Sequence, residues 1–218
     1  MGSRLRDMRE GIGGAVLIMV AVTTPFLRSW SRWGATAAEV NRVLPGDELV
    51  THPKGGFTQA ISISRPREKV WPWVAQIGQG RGGFYSYDFL ENLIGCRIHS
   101  ADEVVPAFQH DEKSEGLRLH PDVLPVPFAA ADPGRTLLFG GRWFEDEPVS
   151  WVLTLDDVGE NACRLVSRWV SDFKPGLGNT LRYKAFIGPI SVVMGRKMLL
   201  GIKKRAERRE GVAGPGRP

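Results

Sequence analysis

Residues 162–173 read ACRLVSRWVSDF, and residues 188–209 read GPISVVMGRKMLLGIKKRAERR. In the first stretch, apolar and polar side chains alternate, which is typical of a half-buried antiparallel strand. One face carries Cys163, Leu165, Ser167, Trp169 and Phe173, and the other carries Arg164, Arg168 and Asp172. The second stretch begins at Gly188-Pro189 and predicts a helix of roughly 30 Å. Its expected apolar stripe consists of Ile190, Val193, Met194, the Lys197 stem and Leu200-Gly201.

The rest of the chain supplies further strands and two shorter helices before this final pair. Period-two patterns predict strands over Phe57–Ser64, Arg135–Arg142 and Val149–Asp156. Two helices are predicted between the first two of these strands. The first helix places Val70, Trp73, Val74 and Ile77 on one face, and a kink or a late start is expected at Pro72. A glycine-rich turn then leads to an amphipathic helix over Tyr85–Ile94. This order predicts an α+β fold, in which a curved antiparallel sheet wraps around the long C-terminal helix and encloses a cavity.

An apolar run, IGGAVLIMVAVTTPFL, occupies residues 12–27 between flanking arginines. It is interpreted as an N-terminal membrane anchor, with a cleaved signal peptide and a buried or interfacial helix as alternatives. The predicted organisation is an anchor segment over 1–30, a linker over 31–56, one ligand-binding domain over 57–209 and a disordered tail over 210–218. A short helix over Ala37–Val43 is expected within the linker. The predicted location is therefore at a membrane, with the cytoplasm as the alternative.

Composition narrows the classes of partner and cofactor. The net charge of +5 is concentrated at the two ends of the chain, an arrangement that suits anionic lipid headgroups. No zinc-ligand spacing or RNA-recognition signature is present, so no nucleic-acid partner is expected. Cys96 and Cys163, the only cysteines, are expected to be buried thiols, with a single disulfide bridge between them as the alternative. The four histidines are too scattered to form a ligand pair, and neither a metal nor a cofactor is predicted.

Several motifs give the chain a family resemblance. They are Arg32-Trp33-Gly34-Ala35-Thr36, Leu44-Pro45-Gly46-Asp47-Glu48-Leu49, Val70-Trp71-Pro72-Trp73, the block GQGRGGFYSYD over 78–88, Leu90-Glu91-Asn92, Ile98-His99-Ser100-Ala101-Asp102 and the stretch RKMLLGIK over 196–203. On these motifs the chain resembles the bacterial START-like superfamily, also called SRPBCC, whose members include polyketide cyclases and lipid-transfer domains. The resemblance implies a helix-grip fold, while one superfamily hosts many ligands and chemistries.

Six residues are candidates for contact with a ligand. Arg81, in the glycine-rich turn, is a candidate cation at a cavity mouth, although pairing with Asp88 or Glu91 is an equal alternative. Tyr85 and Tyr87 point in different directions, and one of them is expected to face inward. His99 is a candidate acid–base group oriented by Asp102, while the simpler interpretation makes Ser100 or Asp102 the cap of a helix carrying Val104 and Val105. Trp151 and Trp169 are expected to wall an apolar cavity.

These features favour a carrier that binds a small apolar, lipid- or polyketide-like molecule at a membrane surface. An enzyme of the cyclase or dehydratase type, using the same cavity, is the first alternative and requires converging polar groups. The second alternative is an interaction module without a functional cavity, for which exposed apolar patches would be the signature.

Overall fold

The computed structural model describes residues 2–22, 26–111 and 114–208. The elements follow the predicted order of a strand, two helices, further strands and a long helix. The helices are α1 Gly2–Val22, α2 Phe26–Trp30, α3 Ala37–Asn41, α4 Arg67–Ala75, α5 Asp88–Leu93, α6 Leu177–Arg182 and α7 Gly188–Ala206, with a π-helical turn, Tyr183–Ile187, joining the last two. The strands are β1 Gly55–Ile63, β2 Gly116–Leu117, β3 Val126–Asp132, β4 Thr136–Arg142, β5 Pro148–Asp157 and β6 Cys163–Ser171.

One antiparallel sheet holds all six strands in the order β1-β6-β5-β4-β3-β2. The alternation read in the sequence decides which face of the sheet each side chain joins. Leu165, Leu153 and Ile63 are completely buried on the inner face. There they pack with Met198, Leu199 and Ile202 of α7 and with residues of α4. The predicted α+β sheet with a long C-terminal helix across it is confirmed.

Details of the helices differ from the predictions. α4 begins at Arg67, so the late start expected at Pro72 is wrong. The helix continues through Pro72, which has no amide hydrogen to donate to the carbonyl four residues earlier. α5 begins at Asp88 rather than at Tyr85. In α7, Val193 is buried as predicted, but Ile190 is 42% exposed. α7 ends at Ala206, three residues before the end expected near Arg209. The tail over 210–218 lies outside the described residues.

The segment over 31–50, expected to be part of a linker, packs closely against the outer face of the sheet; it is called the strap below. Its first residues cover the free edge of β1, where the Thr58 and Ala60 amides donate to the carbonyls of Ser31 and Trp33 at 2.8 and 3.1 Å. A reciprocal capping box begins α3, the helix anticipated within this segment. Beneath the strap lies a second small core of Leu44, Ala60, Leu138, Val152 and Val166.

The N-terminal helix α1 also packs on the domain, where it contacts α5 and α7. Gly11 lies against the Phe89 ring and Gly14 against Tyr87 and Leu90, so the absent side chains allow a close approach of the helices. Residues 23–25 of the predicted anchor lie outside the described part. Of the described helices, only the continuous one from Leu177 to Ala206 is long and apolar enough to cross a membrane, and 50% of its most apolar window is buried.

Candidate functional site

The middle of the inner face, where a cavity was expected, is occupied by close-packed side chains. Trp151 is 6% exposed and stacks on Phe84 with ring centres 6.3 Å apart. Its indole N–H donates to the Ser167 hydroxyl at 2.9 Å, so the one polar atom of this ring is satisfied inside the core. Free space for a ligand therefore has to be sought toward the ends of the sheet.

An apolar groove of about 280 Å³ lies at the end of the sheet where β5 begins and β6 finishes. The opposite wall of the groove is formed by α6 and the π-helical turn. Its lining residues are Val123, Trp143, Phe144, Glu147, Pro148, Val149, Trp169, Ser171, Asp172, Phe173, Asn179, Arg182, Tyr183 and Ile187. Most of the lining area is apolar. The charged lining residues are Glu147, just before β5, Asp172, just after β6, and Arg182, the last residue of α6.

Two groups of aromatic rings, one of three tryptophans and one stacked pair, lie at the groove. The Trp169 ring contacts Trp143 and Trp151 edge-on, at centroid distances of 6.4 and 5.6 Å. The Phe173 and Tyr183 rings stack at 5.0 Å with 20° between their planes. Burial raises the pKa of the Tyr183 hydroxyl, so this ring presents a neutral face to the groove.

The position of the Tyr183 ring depends on a glycine. Gly55, the first residue of β1, lies directly against this ring, and any Cβ at that position would collide with it. Close by, the Lys54 ammonium pairs with Asp172 at 2.6 Å and lies 5.7 Å above the Phe173 ring. The hydrogen bond from Lys54 lowers the pKa of the Asp172 carboxyl, so the rim of the groove carries a fixed ion pair.

A second depression, of about 450 Å³, opens beside the glycine-rich turn and is more polar. Arg81 lines it, but its guanidinium is already engaged: it donates to the carbonyls of Phe108 and Gln109 at 2.8 and 3.1 Å. Pairing of Arg81 with Asp88 or Glu91, the alternative from the sequence, does not appear among its hydrogen bonds and ion pairs in the described residues. Gly78, Gly80 and Gly83 have positive φ, as the tight turn was expected to require.

The two tyrosines point in different directions, as their spacing predicted. Tyr85 is 2% exposed, and its ring lies between Trp73 and the Arg205 guanidinium, 6.0 and 4.8 Å away. Burial raises the pKa of its hydroxyl to about 12. Tyr87 faces the opposite way, with its ring against Gly14 of α1 and 5.2 Å below the Lys197 ammonium.

His99 is exposed, and the cap expected beside it is not formed. Residues 101–105 are not helical, so no helix carries Val104 and Val105. The Ser100 hydroxyl instead accepts from the Tyr85 amide at 2.9 Å and donates to the Asp88 carboxylate at 2.6 Å. The Tyr85 backbone has a positive φ of 56°, and its buried amide takes the Ser100 hydroxyl as its hydrogen-bond acceptor. The Ser100 side chain is therefore engaged in this contact and does not cap a helix.

Of the six candidate residues, the structure brings together Trp151 and Trp169, and only Trp169 lines the apolar groove. Arg81 faces the polar depression, Tyr85 and Tyr87 pack against helices, and His99 is exposed; a ligand role for these four stays a prediction. The sequence analysis missed Trp143, Phe173 and Tyr183. For Tyr183, the available signal was the surrounding segment KPGLGNTLRYKAFIG over 174–188, which is rich in apolar residues and whose only charged residues are basic.

No family model matches the chain, and no curated protein matches it. Among solved structures, the Zhui aromatase/cyclase from Streptomyces sp. R1128 is 16% identical, with a TM-score of 0.45 over 74% of this chain and 98% of that one. A Polyketide_cyc-like protein from Corynebacterium glutamicum is 14% identical, with a TM-score of 0.38 over 68% and 89%. The strand order and the helix laid across the inner face nevertheless define the architecture by themselves. The chain has a helix-grip fold, as the motifs in its sequence implied.

Proposed function

We propose that the chain binds a small apolar molecule in the groove at the open end of its sheet. The observation that carries the proposal is the apolar wall formed by Trp143, Trp169, Phe173 and Tyr183. Small-molecule sites are typically concave, lined by aromatic and aliphatic side chains, and equipped with a few polar groups that fix orientation. This groove has that composition, whereas the larger depression beside Arg81 is mostly polar.

The size and rim of the groove define the ligand class. A volume of about 280 Å³ lies near the lower end of the usual range for ligand sites, so a one- or two-ring aromatic or a short acyl chain fits best. Arg182 and Asn179 lie at the helical wall, where they are placed to hold a polar end of the molecule near solvent. An apolar body with one polar or anionic end matches this arrangement.

The carrier interpretation needs fewer residues than the enzymatic one. A cyclase or dehydratase reaction requires acid and base groups that converge on the bound substrate. The candidates Arg81, Tyr85, Tyr87 and His99 do not line the groove. Binding, in contrast, needs only the apolar walls and a rim. These are contributed by β5 and β6, by residues just outside these strands, and by α6 with its π-helical turn.

The proposal also keeps the domain at a membrane surface through residues 12–27, with a cytoplasmic carrier as the alternative. The outward side of α1 supports the membrane location, because Met8, Ile12 and Val16 are 40%, 55% and 48% exposed. These residues recur every fourth position and so form one apolar stripe on the solvent side of the helix.

Binding of the apolar fluorophore N-phenyl-1-naphthylamine to the full chain tests the proposal. Val123→Asp places a charge in the groove, and we expect it to weaken probe binding at least about tenfold, which corresponds to about 1.4 kcal/mol. Leu124→Asp is the matched control, because this neighbouring side chain is 80% exposed and lies outside the lining. Equal affinity of the wild-type chain and the Val123→Asp variant would exclude the groove as the binding site.

A further inference from the structure

The helical wall of the groove continues into a surface where large apolar side chains are exposed among the residues that the structure describes. Over residues 177–190, called the shoulder below, five large apolar side chains are exposed to solvent. They are Leu177, Leu181, Phe186, Ile187 and Ile190, with exposed fractions of 93%, 66%, 63%, 38% and 42%. Scattered apolar side chains are normal on a protein surface, but a cluster within fourteen consecutive residues marks an interaction site.

The π-helical turn keeps these side chains together. In an α-helix, residues five apart diverge by more than a quarter turn, which would separate Phe186 from Leu181. Within the shoulder, the Gly188 amide instead donates to the Tyr183 carbonyl five residues earlier. This wider turn brings residues five apart closer to the same face, so that Leu181 and Phe186 are both presented to solvent. Single π turns of this kind are frequent at functional sites.

Charge identifies the kind of partner. From Lys174 to Ala206 the chain contains eight basic residues and no acidic one. Arg182 and Lys184 lie within the shoulder itself and are exposed. Basic side chains interspersed among exposed apolar ones are the signature of a helix that lies in the interface of an anionic bilayer.

The shoulder and the groove share residues. Arg182, Tyr183 and Ile187 belong to the shoulder and also line the groove. A surface that approaches lipid through the shoulder therefore brings the groove to the lipid as well. A ligand of low water solubility then moves between bilayer and groove without crossing open solvent.

We propose that the shoulder docks on the surface of an anionic bilayer, with Leu177, Leu181 and Phe186 inserted at the headgroup boundary and Arg182 and Lys184 among the lipid phosphates. This contact is peripheral, because the following turns of α7 are held on the sheet by the buried side chains of Val192, Val193 and Met198. The docking surface is formed by a different part of the sequence from residues 12–27, although α1 contacts its π-helical turn. The docking proposal rests on the proposed function in one respect only, which is that the groove holds a ligand to exchange with the bilayer.

Co-sedimentation of the full chain with vesicles tests this surface. The vesicles contain phosphatidylcholine with 30% phosphatidylglycerol by design, and pure phosphatidylcholine vesicles provide the comparison. We expect Leu181→Asp/Phe186→Asp to lower the fraction bound to anionic vesicles at least about tenfold. Lys184→Glu should lower the vesicle affinity by roughly fivefold or more at low salt, and the loss should shrink as salt is added.

Two control variants decide between surfaces. Val158→Asp changes an equally exposed side chain, 53% exposed, at the opposite end of the sheet, and it should bind vesicles as the wild-type chain does. Ile12→Asp/Val16→Asp disrupts the stripe on α1. If this variant loses binding while Leu181→Asp/Phe186→Asp keeps it, the N-terminal helix is the contact and the shoulder proposal is overturned. A wild-type chain that ignores anionic vesicles overturns it equally.

Probe binding in vesicle-free buffer separates this inference from the proposed function. The Leu181→Asp/Phe186→Asp variant should bind N-phenyl-1-naphthylamine within about threefold of the wild-type affinity, because neither side chain lines the groove. If no chain binds the probe but docking still depends on the shoulder, the ligand proposal fails and the docking surface stands. If the probe binds and the shoulder variant still sediments with vesicles, only the docking surface fails.

Discussion

The two sides of the sheet handle buried and exposed groups in opposite ways. On the outer side, Arg168 is 6% exposed, and all five of its N–H donors are used: they reach Thr58, Asp47 and the carbonyls of Glu39, Val40 and Arg42. On the helix side, the Glu91 carboxyl is equally buried, yet one of its oxygens has no hydrogen-bond partner among the described residues. The shoulder on that side also exposes large apolar groups. The clamp at Arg168 therefore contributes to stability, whereas the unpaired oxygen of Glu91 lowers it.

The largest effect is expected from removing the Arg168 clamp. Arg168→Ala leaves three strap carbonyls and the Asp47 carboxylate without their buried donor, so the free energy of unfolding should fall by about 3–5 kcal/mol. Guanidinium titration measures it. Arg135→Ala, at an exposed position in the turn before β4, is the control and should change stability by less than about 0.5 kcal/mol. A loss below about 1 kcal/mol for Arg168→Ala would show that the strap holds without the clamp.

The pH dependence of the free energy of unfolding tests the role of the buried Glu91 carboxyl on the helix side. Burial, with Asp88 nearby, raises the pKa of the Glu91 carboxyl from 4.5 to about 8. Below pH 4.5 the carboxyl is protonated in both the folded and the unfolded chain, so its raised pKa does not lower the free energy of unfolding there. As the pH rises toward 8, the unfolded chain loses this proton first, and the free energy of unfolding falls.

Glu91→Gln removes this dependence. We expect the variant to match the wild-type chain near pH 4.5 and to be more stable by about 2–4 kcal/mol above pH 8. Guanidinium titrations at pH 4.5, 6.5 and 8.5 supply the comparison, with Glu160→Gln in the β5–β6 turn as the exposed control. A glutamine variant that is less stable than the wild-type chain at high pH would mean that the carboxylate has a stabilising partner.

A smaller loss of stability is expected from substituting Gly34, where the strap lies against β1. Gly34 has φ of 70° and lies against the Ala60 carbonyl, so Gly34→Ala adds both backbone strain and a collision. Gly159 has the same φ, and a Cβ there meets nothing within 4 Å. Gly159→Ala should therefore cost about 1 kcal/mol from strain alone, and Gly34→Ala about 2 kcal/mol or more. Equal losses in thermal unfolding would mean that the strap shifts away without cost.

Local patterns were sufficient to predict the sheet and its covering helix. The strands β1, β5 and β6 alternate in sequence because each residue faces either α7 or the strap. They are not half-buried as predicted, because the strap buries much of the outer face as well. The role of the strap itself was not predictable. Arg168 reads as a solvent-side arginine in a strand, and its partners lie more than a hundred residues earlier in the chain. Such contacts leave no periodic signal in the sequence.

The candidate site was predicted only in part, for a related reason. The sequence predicted that Trp151 and Trp169 wall an apolar cavity. The structure brings the two rings within 5.6 Å of each other, but only Trp169 lines the groove. Whether the space beside them is filled or open depends on side chains from other elements, here Phe84 over Trp151 and Tyr183 beside Phe173. Residue type alone cannot separate a packed wall from a ligand-contacting one, because the same aromatic residues serve both.

The smallest effect is expected where the apolar groups are most exposed. Leu181→Asp removes a side chain that is 66% exposed and outside the core clusters, so the free energy of unfolding should change by less than about 0.5 kcal/mol. The same guanidinium titration measures it, with Val158→Asp as the control. A loss above about 1 kcal/mol would place Leu181 in the folding core, and weaker vesicle binding by the variant would then report damage to the fold. An unchanged stability means that any loss of vesicle binding by this variant reports the docking surface itself, because the fold is intact.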